Sequence, residues 1–216
     1  MTFDAEQLKN QIPFYLTAES TQKELVRNLN ALNSGVTTGY YISAARGVDA
    51  GSMLQGDGWR GFQLFSFDMG KKRSVPGIVL SNSCDISKDN ERAVAPKIIF
   101  APIFRLSAIE ARFKDRGLAE DAIANRISAM KSQSVTNIFF LPADGQLDQD
   151  YVALLDDLHS MPVSAHTDSG KLFTLSMAGF YLFVFKLSVH FCRFHEKVDR
   201  CSESEVALNR TGFLGE

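Results

Sequence analysis

Four consecutive apolar residues, Gly77-Ile78-Val79-Leu80, run directly into a cluster of small polar side chains, Ser81-Asn82-Ser83-Cys84-Asp85. A short apolar run rich in β-branched residues, with no polar alternation, fits a strand buried on both faces. Where it ends, the polar groups emerge together at the rim of a sheet, on a loop held by a rigid scaffold. The chain is read as organised around this strand. Trp59 to Phe67 alternates in part, and Ile98 to Ile103 is again apolar. With Asp68 to Arg73 as a turn and Ser87 to Lys97 as a loop, the middle of the chain predicts an antiparallel meander.

On either side the period changes to that of helices. Residues 4–16 read as a short helix interrupted at Pro13. Thr21 and Glu24 are spaced for a capping box, and Leu25, Leu29 and Leu32 form one apolar stripe that ends at Asn33-Ser34-Gly35. Thr37 to Ala45 is rich in β-branched and aromatic residues and predicts a strand, and Arg46 to Gly58 predicts a loop. Leu106 to Ser134 predicts two helices hinged at Arg116-Gly117. Strands follow at Ile138–Leu141 and Tyr151–Leu158, then a loop from Met161 to Gly170. Thr174 or Ser176 caps a final helix to about Lys197, with Phe180, Phe183, Val184, Leu187 and Phe191 on its stripe. The reading is an α+β protein, with an N-terminal helical arm at 1–35 and a main domain at 36–216 that carries a helical insertion at 106–134.

Composition limits the function classes. The formal net charge of −2 gives no global pull toward nucleic acid or an anionic membrane. A nucleic-acid role needs a local patch, and the compact candidate is Lys71-Lys72-Arg73, a sequence that more often marks a solvated turn. The cysteines, Cys84, Cys192 and Cys201, are odd in number and match no common zinc spacing, which points to a reduced, cytoplasmic setting. The start, MTFDAEQLKNQ, is acidic and polar, unlike a signal peptide. Leu172 to Leu187 is short for a bilayer and contains Lys186, so no membrane span is expected.

Gly56-Asp57 ahead of a strand, Gly70 and Arg73 ahead of Pro76, and the strand end IVLSN at Ile78 to Asn82 occur in an order that resembles the MazF/PemK-type toxins. The late segment Tyr151-Val152-Ala153-Leu154-Leu155-Asp156-Asp157-Leu158 is similar to a late strand of that family. The resemblance covers roughly residues 54–105 and 137–195. It implies a small SH3-like β-barrel with a C-terminal helix, and a bacterial toxin–antitoxin or phage-defence setting. In that family an Arg beside the strand-leading Pro and a hydroxyl after the following strand act on RNA, the Arg stabilising charge on phosphorus. Here Ser74 and Val75 separate Arg73 from Pro76, Phe104 stands near the hydroxyl position, and Ser107 is the nearest hydroxyl beyond it.

The candidate site residues each have two readings. Arg73, Ser81 and Cys84 are the catalytic candidates, and Asn82, Ser83, Asp85 and Ser107 the ligand-binding ones. Cys84 reads as a nucleophile with His159 or His190 as base, or as a small buried cysteine whose neighbour Asp85 caps a turn. Ser81, Asn82 and Ser83 hydrogen-bond either a ligand or the backbone of their own loop. His190, Cys192 and His195 do not share a helix face, so no metal site is expected, and no phosphate-binding Gly-rich loop implies a cofactor. Three functions follow: a toxin-like protein that binds or acts on nucleic acid, a non-catalytic module joined to a protein partner, and a cysteine-dependent hydrolase.

Overall fold

The computed structural model describes Arg27 and residues 39–42, 52–66, 70–87, 93–144, 146–166 and 170–191. Arg27 is helical; the rest of the predicted arm, and the metal-site candidates Cys192 and His195, lie outside the described residues. Among the described residues from 52 onward, seven strands and four α-helices follow one another in the order β1 (Gly58–Ser66), β2 (Lys71–Val79), α1 (Ser83–Ile86), β3 (Lys97–Arg105), α2 (Leu106–Asp115), α3 (Glu120–Lys131), β4 (Ile138–Leu141), β5 (Tyr151–Leu154), β6 (His159–Pro162), β7 (Lys171–Phe173) and α4 (Met177–Phe191). The mixed α and β class and the central antiparallel meander agree with the sequence. The strands make one antiparallel sheet with the path β4-β5-β3-β2-β1-β7, and β6 also pairs with β3.

The predicted central strand is there, and Gly77, Ile78 and Val79 are buried. Gly77 is required: a Cβ there would lie 2.8 Å from Phe62 and 3.0 Å from the Ala101 carbonyl. That close approach lets Phe62 and Phe100 stack at 4.3 Å between centroids. The strand is longer than its apolar run. Lys71-Lys72-Arg73, read as a turn, belongs to β2 and pairs with Leu64–Ser66. Cross-strand pairing overrides the local polarity there, because Lys71, Lys72 and Arg73 are exposed and keep their charge in water.

β3 distributes the core. Ile98 and Phe100 point to a cluster with Trp59, Phe62, Val79 and Met161. Ala101 and Ile103 point to the opposite face, against Ile78, Phe139, Phe173, Leu182 and Phe183, and so under α4. Phe104 packs with Leu106, Met130, Ile138, Phe140 and Val152, under the α2–α3 pair. Helices therefore cover both faces, as the period-2 alternation of β4 and β5 requires. Gly117, with φ +75°, turns the chain between α2 and α3 as predicted.

Two expectations fail at the late strands. The strand at 151–158 stops at Leu154, the chain turns through 155–157, and it pairs again as β6 along β3, where a loop was expected from Met161. Polar anchors set the interruption: Asp156 accepts from Asn137 at 2.7 Å, and Asp157 lies 2.9 Å from His159. The predicted strand at 37–45 is described only at 39–42, where Tyr41 bridges Leu175. Ser176 caps α4 by accepting from Gly179 N–H at 3.2 Å.

One residue joins three elements. Gln133 has φ 58°, a conformation usually left to glycine. It sits just past α3, where Gln133 N–H reaches Met130 O and Ser134 N–H reaches Ala129 O, both at 3.0 Å, as a Schellman cap requires. The side chain explains why glycine is not used. Its amide accepts from Phe140 N–H at 3.2 Å and donates to Phe140 O and to the Tyr40 hydroxyl, each at 2.8 Å. It closes the free edge of β4 as a peptide group would. The Gln133 carbonyl accepts from Lys186, a residue of α4 only 5% exposed.

Gln133→Gly removes these side-chain bonds without backbone strain, so urea unfolding should show a loss of about 1–3 kcal/mol, the usual range for buried polar groups left unpaired. Gln133→Ala should lose roughly 1 kcal/mol more through its left-handed backbone. Burial lowers the Lys186 ammonium from 10.5 to about 8. Between about pH 8 and pH 10 the unfolded chain holds more of this proton than the folded one, so stability should rise with pH by at most about 3 kcal/mol. Above pH 10 the trend reverses, because burial raises the Tyr40 and Tyr41 phenols far above their ordinary value and only the unfolded chain ionises them. Denaturant titration across this range should show the rise in the wild type and lose it in Lys186→Met.

Candidate functional site

The polar cluster after the central strand is occupied by the backbone around it. Ser81 accepts from Ile99 N–H at 2.7 Å and donates to the Lys97 carbonyl at 3.4 Å, fastening the start of β3. Asn82 caps α1 by accepting from Cys84 N–H at 3.0 Å. Ser83 accepts from Gln55 N–H at 2.9 Å, and the Gln55 amide donates to Leu80 O at 2.7 Å. The short helix turns Cys84 and Asp85 outward, so the buried reading of Cys84 is corrected: its thiol is exposed. Of the proposed bases, His159 is engaged with Asp157, and the His190 ring lies against Phe191.

The other candidates lie elsewhere. Arg73 is exposed near the far end of β2, six residues before Val79 and so about 20 Å away along the strand. It pairs with Leu64 on the face opposite Ser74 and Pro76. Ser107, in the first turn of α2, donates to Gln149 at 3.3 Å. Arg73, the Ser81–Asp85 cluster and Ser107 thus occupy three separate places.

A different site is formed on the α4 side of the sheet. A groove of about 740 Å³ opens where β1, β2, β3 and the loop before β5 meet. Pro76, Ile103, Leu147 and Leu172 supply apolar walls, and Ser74, Gln146, Tyr151, Arg60, Arg105 and the acidic Asp148 supply polar ones. Register places them. Ser74 and Pro76 alternate onto this face of β2, and Ile103 and Arg105 onto this face of β3. The β-bulge between Trp59 and Phe62 re-aims Arg60. The backbone of Arg60 is fixed on both sides, by N–H to Gly170 O at 3.1 Å and by its carbonyl 2.9 Å from His166 Nε2.

Arg105 ends β3 directly opposite Tyr151, the first residue of β5. The pair shares one face, so the guanidinium reaches the Tyr151 hydroxyl, which raises the Arg105 pKa further above its ordinary value. The hydroxyl passes the interaction on, donating to Asp148 Oδ1 at 2.9 Å. Hydrogen bonds from Gln149 and Tyr151 hold the Asp148 carboxyl below its usual range. The relay Arg105–Tyr151–Asp148 orients one cation at the groove, which Arg60 also lines. The loop wall is braced by Asp150, which accepts from Ala143 N–H at 2.9 Å and pairs with Lys131 at 2.8 Å.

Two guanidiniums against the one Asp148 carboxylate leave the groove with an excess of positive charge, and with its apolar residues it suits an anion with an apolar body. Sequence reasoning misses Arg60, Arg105 and Tyr151 because they are isolated in the chain and converge only through register. Among the described residues no group of three or more His, Cys, Asp or Glu could hold a metal, and no helix is long and apolar enough to cross a membrane. No protein-family model matches the chain, and no curated protein matches it in sequence.

Tyr151→Phe cuts the relay while keeping the ring. In a carboxyl-detected NMR titration the Asp148 pKa should rise toward its ordinary value; an unmoved Asp148 would show that the Tyr151 hydroxyl does not hold it down.

Proposed function

We propose that the protein binds a single strand of nucleic acid along this groove, as a non-cutting relative of toxin-like barrels. The observation that carries the reading is that Arg60 from β1 and Arg105 from β3 both line one groove with apolar residues between those strands. Backbone phosphates need cations, and unpaired bases need apolar surface; a groove with both matches a single strand better than a duplex. The strands form an open sheet; the barrel implied by the family resemblance stays part of this proposal, and what favours it is that β6, paired with β3, approaches β1 across the cluster of Trp59, Phe62, Phe100 and Met161. Binding is favoured over cutting because Arg73, Ser81 and Cys84 stand apart, and the Asp148 carboxylate at the groove is engaged by Tyr151 and Gln149. A role in a toxin–antitoxin or phage-defence system in the bacterial cytoplasm is the setting this reading proposes.

Fluorescence anisotropy with a short labelled single-stranded RNA at low salt tests it. Binding should weaken steeply with salt. Arg60→Ala and Arg105→Ala should each weaken it severalfold and each reduce the salt slope by about 0.7, the share of one neutralised phosphate on a single strand. Arg73→Ala should leave affinity unchanged and the RNA intact. Absence of binding by the wild type at low salt refutes the proposal.

A further inference from the structure

The hairpin of β1 and β2 extends well beyond the sheet. β2 pairs with β3 only over Gly77–Val79, and β1 pairs with β7 only at Gly58 and Trp59. Yet β1 and β2 continue to pair with each other from Phe62 and Val75 out to Ser66 and Lys71. The outer half is a two-stranded ribbon. Its two faces differ. One carries Phe62 and Leu64, both buried, together with Val75. The other carries the cross-strand pairs Gln63–Ser74 and Phe65–Lys72.

This second face continues the groove. Ser74 and Pro76 line the groove, and Lys72 is the next residue of β2 on the same side. Phe65 lies opposite Lys72 and is 43% exposed. An aromatic ring paired across the strands with an exposed lysine, at the end of a groove walled by two arginines, is the combination that single-strand binders use: a ring for a base and a cation for the phosphate beside it. The pair stands about 13 Å along β2 from Pro76, four residues at strand spacing, so a ligand lying over the groove floor reaches it by following the twist of the ribbon.

We propose that Phe65 is a base-stacking platform and Lys72 its phosphate partner, so that the ribbon forms a second subsite for an unpaired nucleotide beyond the groove. This rests on the groove reading and adds to it a base-dependent interaction. A duplex cannot use the platform, because its bases are already stacked on one another. An acidic peptide can use Lys72 but offers no flat ring at each charged unit.

The test compares three probes of equal length and charge: a single-stranded RNA, the same strand made abasic, and a polyglutamate chain. Each is titrated against the wild type, Phe65→Ala, Phe65→Trp and Lys72→Ala, after thermal unfolding has shown that the variants keep the wild-type fold. Phe65→Ala should weaken the base-bearing strand about tenfold, within the range for removing one stacked base, and leave the abasic strand unchanged. Phe65→Trp should match or exceed the wild type. Lys72→Ala should lower the salt slope by about 0.7 for both strands. Wild-type binding that Phe65→Ala leaves intact overturns the subsite while the groove stands. Equal losses for base-bearing and abasic strands also overturn it, since the ring would then only support the ribbon. Polyglutamate binding as tight as RNA, or no RNA binding by the wild type, removes the groove reading and the subsite together.

Discussion

Everything in the sheet is referred to the docking of one turn, Leu54 to Asp57, on the end of the central strand. Gly56 N–H donates to Val79 O at 2.8 Å, and Val79 N–H returns to Asp57 O at 2.9 Å. These peptide groups are thereby satisfied where Val79 and Asp57 are buried. The Asp57 carboxylate accepts from Leu54 N–H at 2.9 Å and pairs with Lys171 at 3.0 Å, which attaches β7. Burial raises the Asp57 pKa, and the Leu54 and Lys171 interactions oppose that rise. Such a pair adds little net stability, but removing one partner strands a buried charge. Gly56, at φ +85°, lies where a Cβ would come within 3.1 Å of Leu175 and 3.3 Å of Phe180, so α4 sits on the turn. The Gly-Asp pair of the sequence is thus a structural joint.

A second joint works at the other end of the sheet. β4 is an edge strand, and Phe140 would expose its N–H and C=O there. Gln133 covers both, Tyr40 adds its hydroxyl to Phe140 O at 2.9 Å, and Tyr41 donates to Pro142 O at 2.9 Å. The segment 39–42 is also held at Leu175 and Ser176, so the edge, the N-terminal part of the domain and the start of α4 form one unit. The left-handed backbone at Gln133 is the strain that this unit stores, and it is offset by three satisfied polar groups.

Much of this architecture is legible in the sequence. Ile138–Leu141, Ile98–Ile103 and the helical pair at 106–134 announce themselves through period and length, because each buries a full face. The elements that are missed bury little. β6 offers one buried side chain, Met161, and β7 is three residues long. Lys71 to Arg73 reads as a turn because charge and β structure are usually separated, and only the pairing with Leu64–Ser66 reveals a ribbon. The Ser81–Asp85 cluster is correctly placed at a strand end, yet its side chains are used on Ile99, Cys84 and Gln55. Polar residues after a buried strand serve the backbone first, since unpaired N–H groups at a sheet rim are costly. The groove is illegible for the opposite reason. Its polar residues are far apart in the chain and ordinary in type, and the register that joins Arg105 to Tyr151 is a tertiary fact.

The location of the groove follows from how β3 is shared. Successive stretches of that strand serve the cluster around Trp59, the core under α4 and the core under α2–α3. By Arg105 the α4 layer no longer covers its face, and the chain turns directly into α2. A residue at this junction cannot be buried by either helical layer, yet its backbone is held by both a strand and a helix. Arg105 is therefore exposed and fixed at once, and Tyr151 and Asp148 set the direction of its side chain. At the β1 bulge the backbone of Arg60 is held, by Gly170 and His166. A cation held as Arg105 is keeps its geometry without a ligand, so little ordering remains to be done there when one arrives.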